Sequence, residues 1–294
     1  MAGGGQRATA LLQRSQFALL VTLILLTVGA WSLTIFQART MEMGMGVVVP
    51  GAPPDAASDS MGDMDTMVGM NPTGMASMAV RWSIGGLAAF VSAWAVMMAA
   101  MMLPAVAPML LLYRTIAAKK QADGGAFVSN WVLAAGYLVV WAAAGAGAYA
   151  LVRFGSQVAG QLGVAERQMW APYALGAILV IAGLYQFTPL KHACLRQCQS
   201  PFGFVMGHWH DGTTGALRMG IVHGAYCLGC CWALFAVLVA AGVMSLAWMV
   251  LLALVVFTEK VFAYGRQTAL AVGVIFIALG VLVASGATGM PWVV

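Results

Sequence analysis

Charge is what this sequence has least of. Lys, Arg, Asp and Glu together make up 8% of 294 residues, against 62% hydrophobic positions and a mean hydropathy of +0.89. A water-facing domain carries roughly 25% charged residues, so this scarcity excludes a soluble globular protein and turns the surface toward lipid. Ten-residue segments of alternating hydrophobicity, the pattern of a transmembrane barrel, are absent too. Helices are then the remaining way to satisfy the backbone inside a bilayer. Cysteine is scarce, at five residues. Five cannot all pair, and three share one apolar run, which argues against a secreted disulfide framework. The net charge of +5 is spread over loops. No basic stripe interleaves with aromatics, which excludes a nucleic-acid partner. No Walker or phosphorylation motif is present, so this chain powers no transport with ATP. No residues read as a catalytic set, and a soluble catalytic domain has nowhere to be.

What is present is a series of long apolar runs, each near the roughly 20 residues a helix needs to cross a bilayer. Seven read as spans, at about 16–36, 83–113, 127–152, 171–189, 217–241, 243–263 and 268–287. The expected fold is all-α: a polytopic membrane protein of about seven transmembrane helices in one bundle. Arg7 and Arg14 precede the first span, and Arg114, Lys119 and Lys120 follow the second. Lys191, Arg196 and Arg218 flank the fourth and fifth, while Lys260 and Arg266 lie between the last two. With seven spans all of them fall on one side, which the positive-inside rule makes cytoplasmic. The N-terminus is then inside, in a bacterial inner membrane. Three regions follow: an anchor over 1–36, an outer loop rich in Met, Asp, Gly and Pro over 37–80, and a six-helix core over 81–294. The run Phe17 to Phe36 is long for a signal peptide and lacks a small-residue cleavage site, so the anchor reads as uncleaved.

Soft metal donors gather at four places. The stretch His223-Gly-Ala-Tyr-Cys-Leu-Gly-Cys-Cys-Trp232 holds one histidine and three cysteines. On a helical wheel His223, Cys227, Cys230 and Cys231 fall at about 0°, 40°, −20° and 80°, one face of the helix. Gly220 and Gly224 lie near that face and admit another backbone. The second place is Trp94-Ala-Val-Met-Met-Ala-Ala-Met-Met-Leu-Pro104, where Met97, Met98, Met101 and Met102 form a stripe of i,i+4 pairs. Met61, Met64 and Met67 belong to the third, the Met/Asp loop, whose segments resemble the methionine motifs of copper-handling proteins. The fourth is Lys191-His-Ala-Cys-Leu-Arg-Gln-Cys198, where Cys194 and Cys198 stand one turn apart. Thiolate and thioether together select Cu(I). Zinc, or no metal at all, is the competing assignment, since Cys and Met also serve as ordinary packing residues. His208 and His210 read as metal acceptors or as helix-end residues, and Glu259-Lys260 as an ion pair or an interfacial anchor.

Several blocks together resemble a bacterial family of uncharacterised integral membrane proteins described as predicted metal-binding. They are Trp94 with the paired methionines and Pro104/Pro108; Thr188-Pro-Leu-Lys191 with Cys194, Cys198 and Pro201-Phe202; Gly229-Cys-Cys-Trp232; Gly242-Val-Met244; Trp248-Met249; and Glu259-Lys260. The resemblance implies metal binding in a membrane and names no reaction.

The leading functional expectation is binding, delivery or transport of Cu(I) through these Met, Cys and His sites. Partners would be the lipid bilayer, a copper protein or other membrane subunits. Two alternatives stand beside it. An accessory subunit of a larger complex would pack through its Gly- and Met-rich helices. A thiol oxidoreductase would use Cys230/Cys231 with Cys194/Cys198, although vicinal cysteines on a helix close a strained disulfide.

Overall fold

A computed structural model of the chain describes residues 3–42, 84–122, 129–241 and 246–285. Met61, Met64, Met67 and Gly242-Val-Met244 lie outside the described residues. Among these residues there are helices and no strand: α1 (Gly3–Glu42), α2 (Ile84–Ala122), α3 (Asn130–Gln161), α4 (Val164–Tyr185), α5 (Pro189–Gln199), α6 (Pro201–Gly207), α7 (Gly212–Ala241), α8 (Leu246–Val261) and α9 (Gly265–Ala284). Five of them, α1, α2, α3, α7 and α9, are long and apolar enough to cross a membrane. A sixth crossing is available from α4 and α5 together, bent by 64° at their junction. Of the two remaining helices, α6 has 7 residues and α8 has 16. Several expected boundaries move, among them the end of α3, which runs to Gln161 rather than 152. α1 continues to Glu42, into the segment read as loop, and α2 runs through Pro104 and Pro108 to Ala122. Each proline removes one backbone donor without ending the helix.

The break after α4 matters most for function. Thr188 accepts a hydrogen bond from the Lys191 backbone N–H at 3.3 Å, and Pro189 opens α5. That is a sequence-encoded helix start, since proline fits the first turn and threonine caps it. The chain therefore turns, and Lys191, Cys194, Leu195 and Cys198 point inward from a short helix.

Lipid is as apolar as leucine, so close packing rather than the hydrophobic effect joins membrane helices. α3 and α7 run parallel in contact. A side chain at Gly220 would strike the Leu133 carbonyl, and one at Gly224 would meet Val140 at 3.0 Å. The near approach at Gly220 brings the face of α3 that carries Tyr137 against α7. Gly220→Leu is therefore expected to overpack this contact, at about 1–3 kcal/mol. The check is a lowered melting temperature of the detergent-purified protein, with a smaller drop for Gly220→Ala.

One end of the bundle is tied together by Gln16 on Thr115 at 2.8 Å, Lys120 on Asp211 at 3.4 Å and Asn130 on the Leu110 carbonyl at 2.9 Å. Arg14, Arg114, Lys119 and Lys120 lie on α1 and α2 near these bonds, exposed or half-buried, and Arg196, Arg218 and Arg266 are exposed as well. Lys191 and Lys260, counted with them on sequence, are instead buried at 0% and 7% exposure. Their positions are internal, not interfacial.

Candidate metal centre

The four donors on α7 face inward. His223, Cys227, Cys230 and Cys231 are 4%, 2%, 1% and 1% exposed. All five cysteines are free. The Cys230 and Cys231 thiols donate back to the Cys227 carbonyl at 3.1 and 2.7 Å. Cys227 points elsewhere: its sulfur shares a hydrogen bond with the Tyr137 hydroxyl at 3.1 Å and accepts from the Lys260 ammonium at 2.7 Å. Lys260 Nζ also lies 3.6 Å from Met102 Sδ and 4.0 Å from Cys231 Sγ. A cation thus already stands among three sulfurs from α2 and α7.

Cys198 comes to this group from α5: it is buried and lines one cavity with His223, Cys227 and Lys260. Cys194, one turn away, fills the space beside Gly229, where an added side-chain carbon would stand 2.9 Å from its sulfur. The two members of the α5 pair therefore play different parts, one in the cage and one packed against α7. The His223 ring meets Phe204 edge-on, with centroids 4.9 Å apart, and lies tilted to Tyr137 at 5.9 Å. Its Nδ1 is buried without a hydrogen-bond partner. An orphaned donor atom of that kind normally calls for an explanation.

Met97, Met98, Met101 and Met102 are all buried, at 1% or 2% exposure. Of the four, Met102 reaches the cage; the others contribute to the core of α2. Met109, missed on sequence, lies two turns further along the same face and lines a cavity of about 170 Å³ beside the cage. Pro108, Cys198, His223, Cys227 and Lys260 line it too, and it reaches the surface at the exposed Val261. Tyr137 and Lys260 were likewise not expected as site residues. A lysine within an apolar run was the available signal for the second, because intramembrane charge is rarely idle. Nothing local marks Tyr137.

Among the described residues no three His, Cys, Asp or Glu donors converge as a ready-made metal site. The cage is not a closed tetrahedral zinc centre, which takes four such ligands. It is a sulfur-rich position held by an ammonium. Glu259 does not pair with its neighbour Lys260 but with Lys191, at 2.7 Å and with both side chains at most 1% exposed. The thiols on α7 and Lys260 are thereby left to each other.

On the side away from the basic end the cage is covered by rings. Trp94 stacks on Phe90 at 6.1 Å and meets Phe235 at 6.3 Å, and Trp141 packs edge-on against Phe235 at 5.2 Å. Trp94 lies eight residues before Met102 and Phe235 eight after Cys227, in each case about 12 Å along the helix. The described side chains thus offer the cage an opening toward the basic end and an aromatic layer opposite.

The remaining sequence candidates stand apart. His208 stacks on Phe204 at 4.6 Å and contacts its carbonyl, while His210 meets Arg218 at 3.4 Å. The Trp209 indole N–H donates to Asp211 at 2.8 Å, and with Lys120 it holds the Asp211 carboxyl below the usual carboxylate range. These groups tie down the turn before α7. A larger apolar cleft of about 470 Å³ between α1, α2 and α3 is lined by residues such as Leu23, Leu26 and Leu103 and carries no sulfur or imidazole.

A family model described as PpoB2, copper chaperone, matches residues 91–283, well over half of the 294-residue chain. The match takes in every donor of the cage and leaves α1 and the Met/Asp segment outside. No curated protein and no solved structure matches the chain.

Proposed function

The chain belongs to the PpoB2 copper chaperone family, and we propose that it is a membrane-embedded carrier of Cu(I) whose binding position is the sulfur cage. The single observation that carries this reading is the ammonium of Lys260 set among Cys227, Cys231 and Met102. A buried cation surrounded by sulfur marks a place whose chemistry suits a soft monovalent ion. Thiolate and thioether are the donors that select Cu(I). Cys227 and Cys198 would bind as thiolates, their protons displaced by the charge of the ion. Met102 adds the thioether, and His223 lines the cavity beside these sulfurs.

In this proposal α8 and the bent α4–α5 pair join the five long helices to give seven spans in a bacterial inner membrane, with the basic end cytoplasmic. Cu(I) then exchanges with the cage through the cavity beside Met109 and Pro108, on the cytoplasmic side. Met61, Met64 and Met67 form a separate, weak and exchangeable Cu(I) site outside the family match. An accessory-subunit reading has less to support it, since Gly136, Gly220 and Gly224 pack α3 on α7 within the chain.

Elemental analysis of protein purified in detergent from copper-supplemented cells tests the reading. Stoichiometric copper is expected, lost in the Cys198/Cys227/Cys230/Cys231→Ser variant. Zinc at equal stoichiometry, or copper unaffected by the four substitutions, would reverse it.

A further inference from the structure

Resting on the cage as a Cu(I) site, we propose that Lys260 is its charge-selectivity residue, admitting monovalent soft cations and rejecting divalent ones. The residue comes from α8, a helix that contributes none of the metal donors, yet its ammonium is 2.7 Å from the sulfur most available to a metal. It is 7% exposed, so water screens it little. The neighbouring acid cannot cancel it, because Glu259 is bonded to Lys191 at 2.7 Å. Asp and Glu are otherwise missing from the lining of the cavity among the described residues. The cage therefore carries one positive charge that no carboxylate offsets.

Repulsion between that charge and a bound ion scales with the charge of the ion, and it is strong in a low-dielectric interior. A divalent ion in the cage meets twice the repulsion that Cu(I) or Ag(I) meets. The thiolates attract both kinds of ion, and soft divalent ions such as Zn(II) and Cd(II) are otherwise good thiolate partners. Two thiolates and one ammonium are neutralised by one monovalent ion and left with a net positive charge by a divalent one, so Lys260 shifts the balance toward the monovalent ion. When Cu(I) arrives, it takes the place beside Cys227 that Nζ holds at rest. The flexible lysine stem lets the ammonium withdraw without leaving the cage, where it balances the second thiolate.

The test compares full-length protein in detergent, reduced, with Ag(I) and Cd(II) as probe metals in competition. Wild type is expected to prefer Ag(I). Lys260→Met should move the Ag(I)-to-Cd(II) affinity ratio at least about tenfold toward Cd(II), while Lys260→Arg, which keeps the charge, leaves the ratio near the wild-type value. Lys260→Gln provides a second neutral variant should the methionine one fail to fold. A ratio unchanged in the neutral variants, with Ag(I) still bound through Cys227, overturns the assignment of Lys260 alone. Absence of Ag(I) binding in the wild type, or Ag(I) binding unaltered by Cys227→Ser, overturns the cage itself.

Discussion

Lys191→Met is expected to destabilise the protein by about 3–5 kcal/mol, the cost of leaving one partner of a buried ion pair alone. Lys191 and Glu259 are 0% and 1% exposed and meet at 2.7 Å. Without that ammonium the buried Glu259 carboxylate loses the counter-charge bonded to it, and its Oε1 already lacks a hydrogen-bond partner. The damage should reach the metal site as well, because Glu259 adjoins Lys260 and the pair fastens α5 to α8. Removing both charges, as in Lys191→Met with Glu259→Leu, should recover much of the stability, since well-packed apolar residues often replace a buried pair at little cost. Thermal unfolding of the three variants in one detergent is the check. A single substitution no worse than the double would mean that the pair is not held as the structure shows.

Cys227→Ser should lower Cu(I) affinity by well over about 100-fold, beyond the upper range for changes that only support a ligand. Its sulfur is the one that faces both Lys260 and Tyr137. A serine oxygen is too hard a donor for Cu(I). Cys194→Ser provides the contrast. Cys194 packs against Gly229, outside the group around Lys260, so the substitution should change affinity little. Competition against a Cu(I) chelator separates the two, and equal losses would show that the cage is drawn around the wrong sulfurs.

Much of this was legible in the sequence, for identifiable reasons. Apolar runs with almost no charge leave little but helices, and helices are what form. The stripe from His223 to Cys231 follows from helical spacing alone, and burying it inward agrees with the cost of polar groups in lipid. The sequence reads one span over 171–189 and a separate helical turn holding Cys194 and Cys198; it does not show that the chain bends by 64° between α4 and α5. That bend turns Cys198 inward to the cavity that Cys227 also lines, whereas on sequence the α5 pair reads as a separate site. Lys260 was hidden for a similar reason. Beside Glu259 it looks like half of an ion pair, and only the tertiary fold gives Glu259 to Lys191 and turns Lys260 to the sulfurs. Met109 stands seven residues after Met102, a spacing that repeats one helix face, and was within reach of sequence reasoning. Tyr137 was not, since its place depends on how closely Gly220 lets α3 approach.

The most direct measurement is X-ray absorption at the copper edge on full-length protein loaded with one equivalent of Cu(I). A shell dominated by sulfur at about 2.3 Å, the usual metal–thiolate distance, is expected, and it should be lost or replaced in Cys227→Ser. A shell dominated by nitrogen or oxygen, or a sulfur shell that survives that substitution unchanged, would contradict copper binding at the cage.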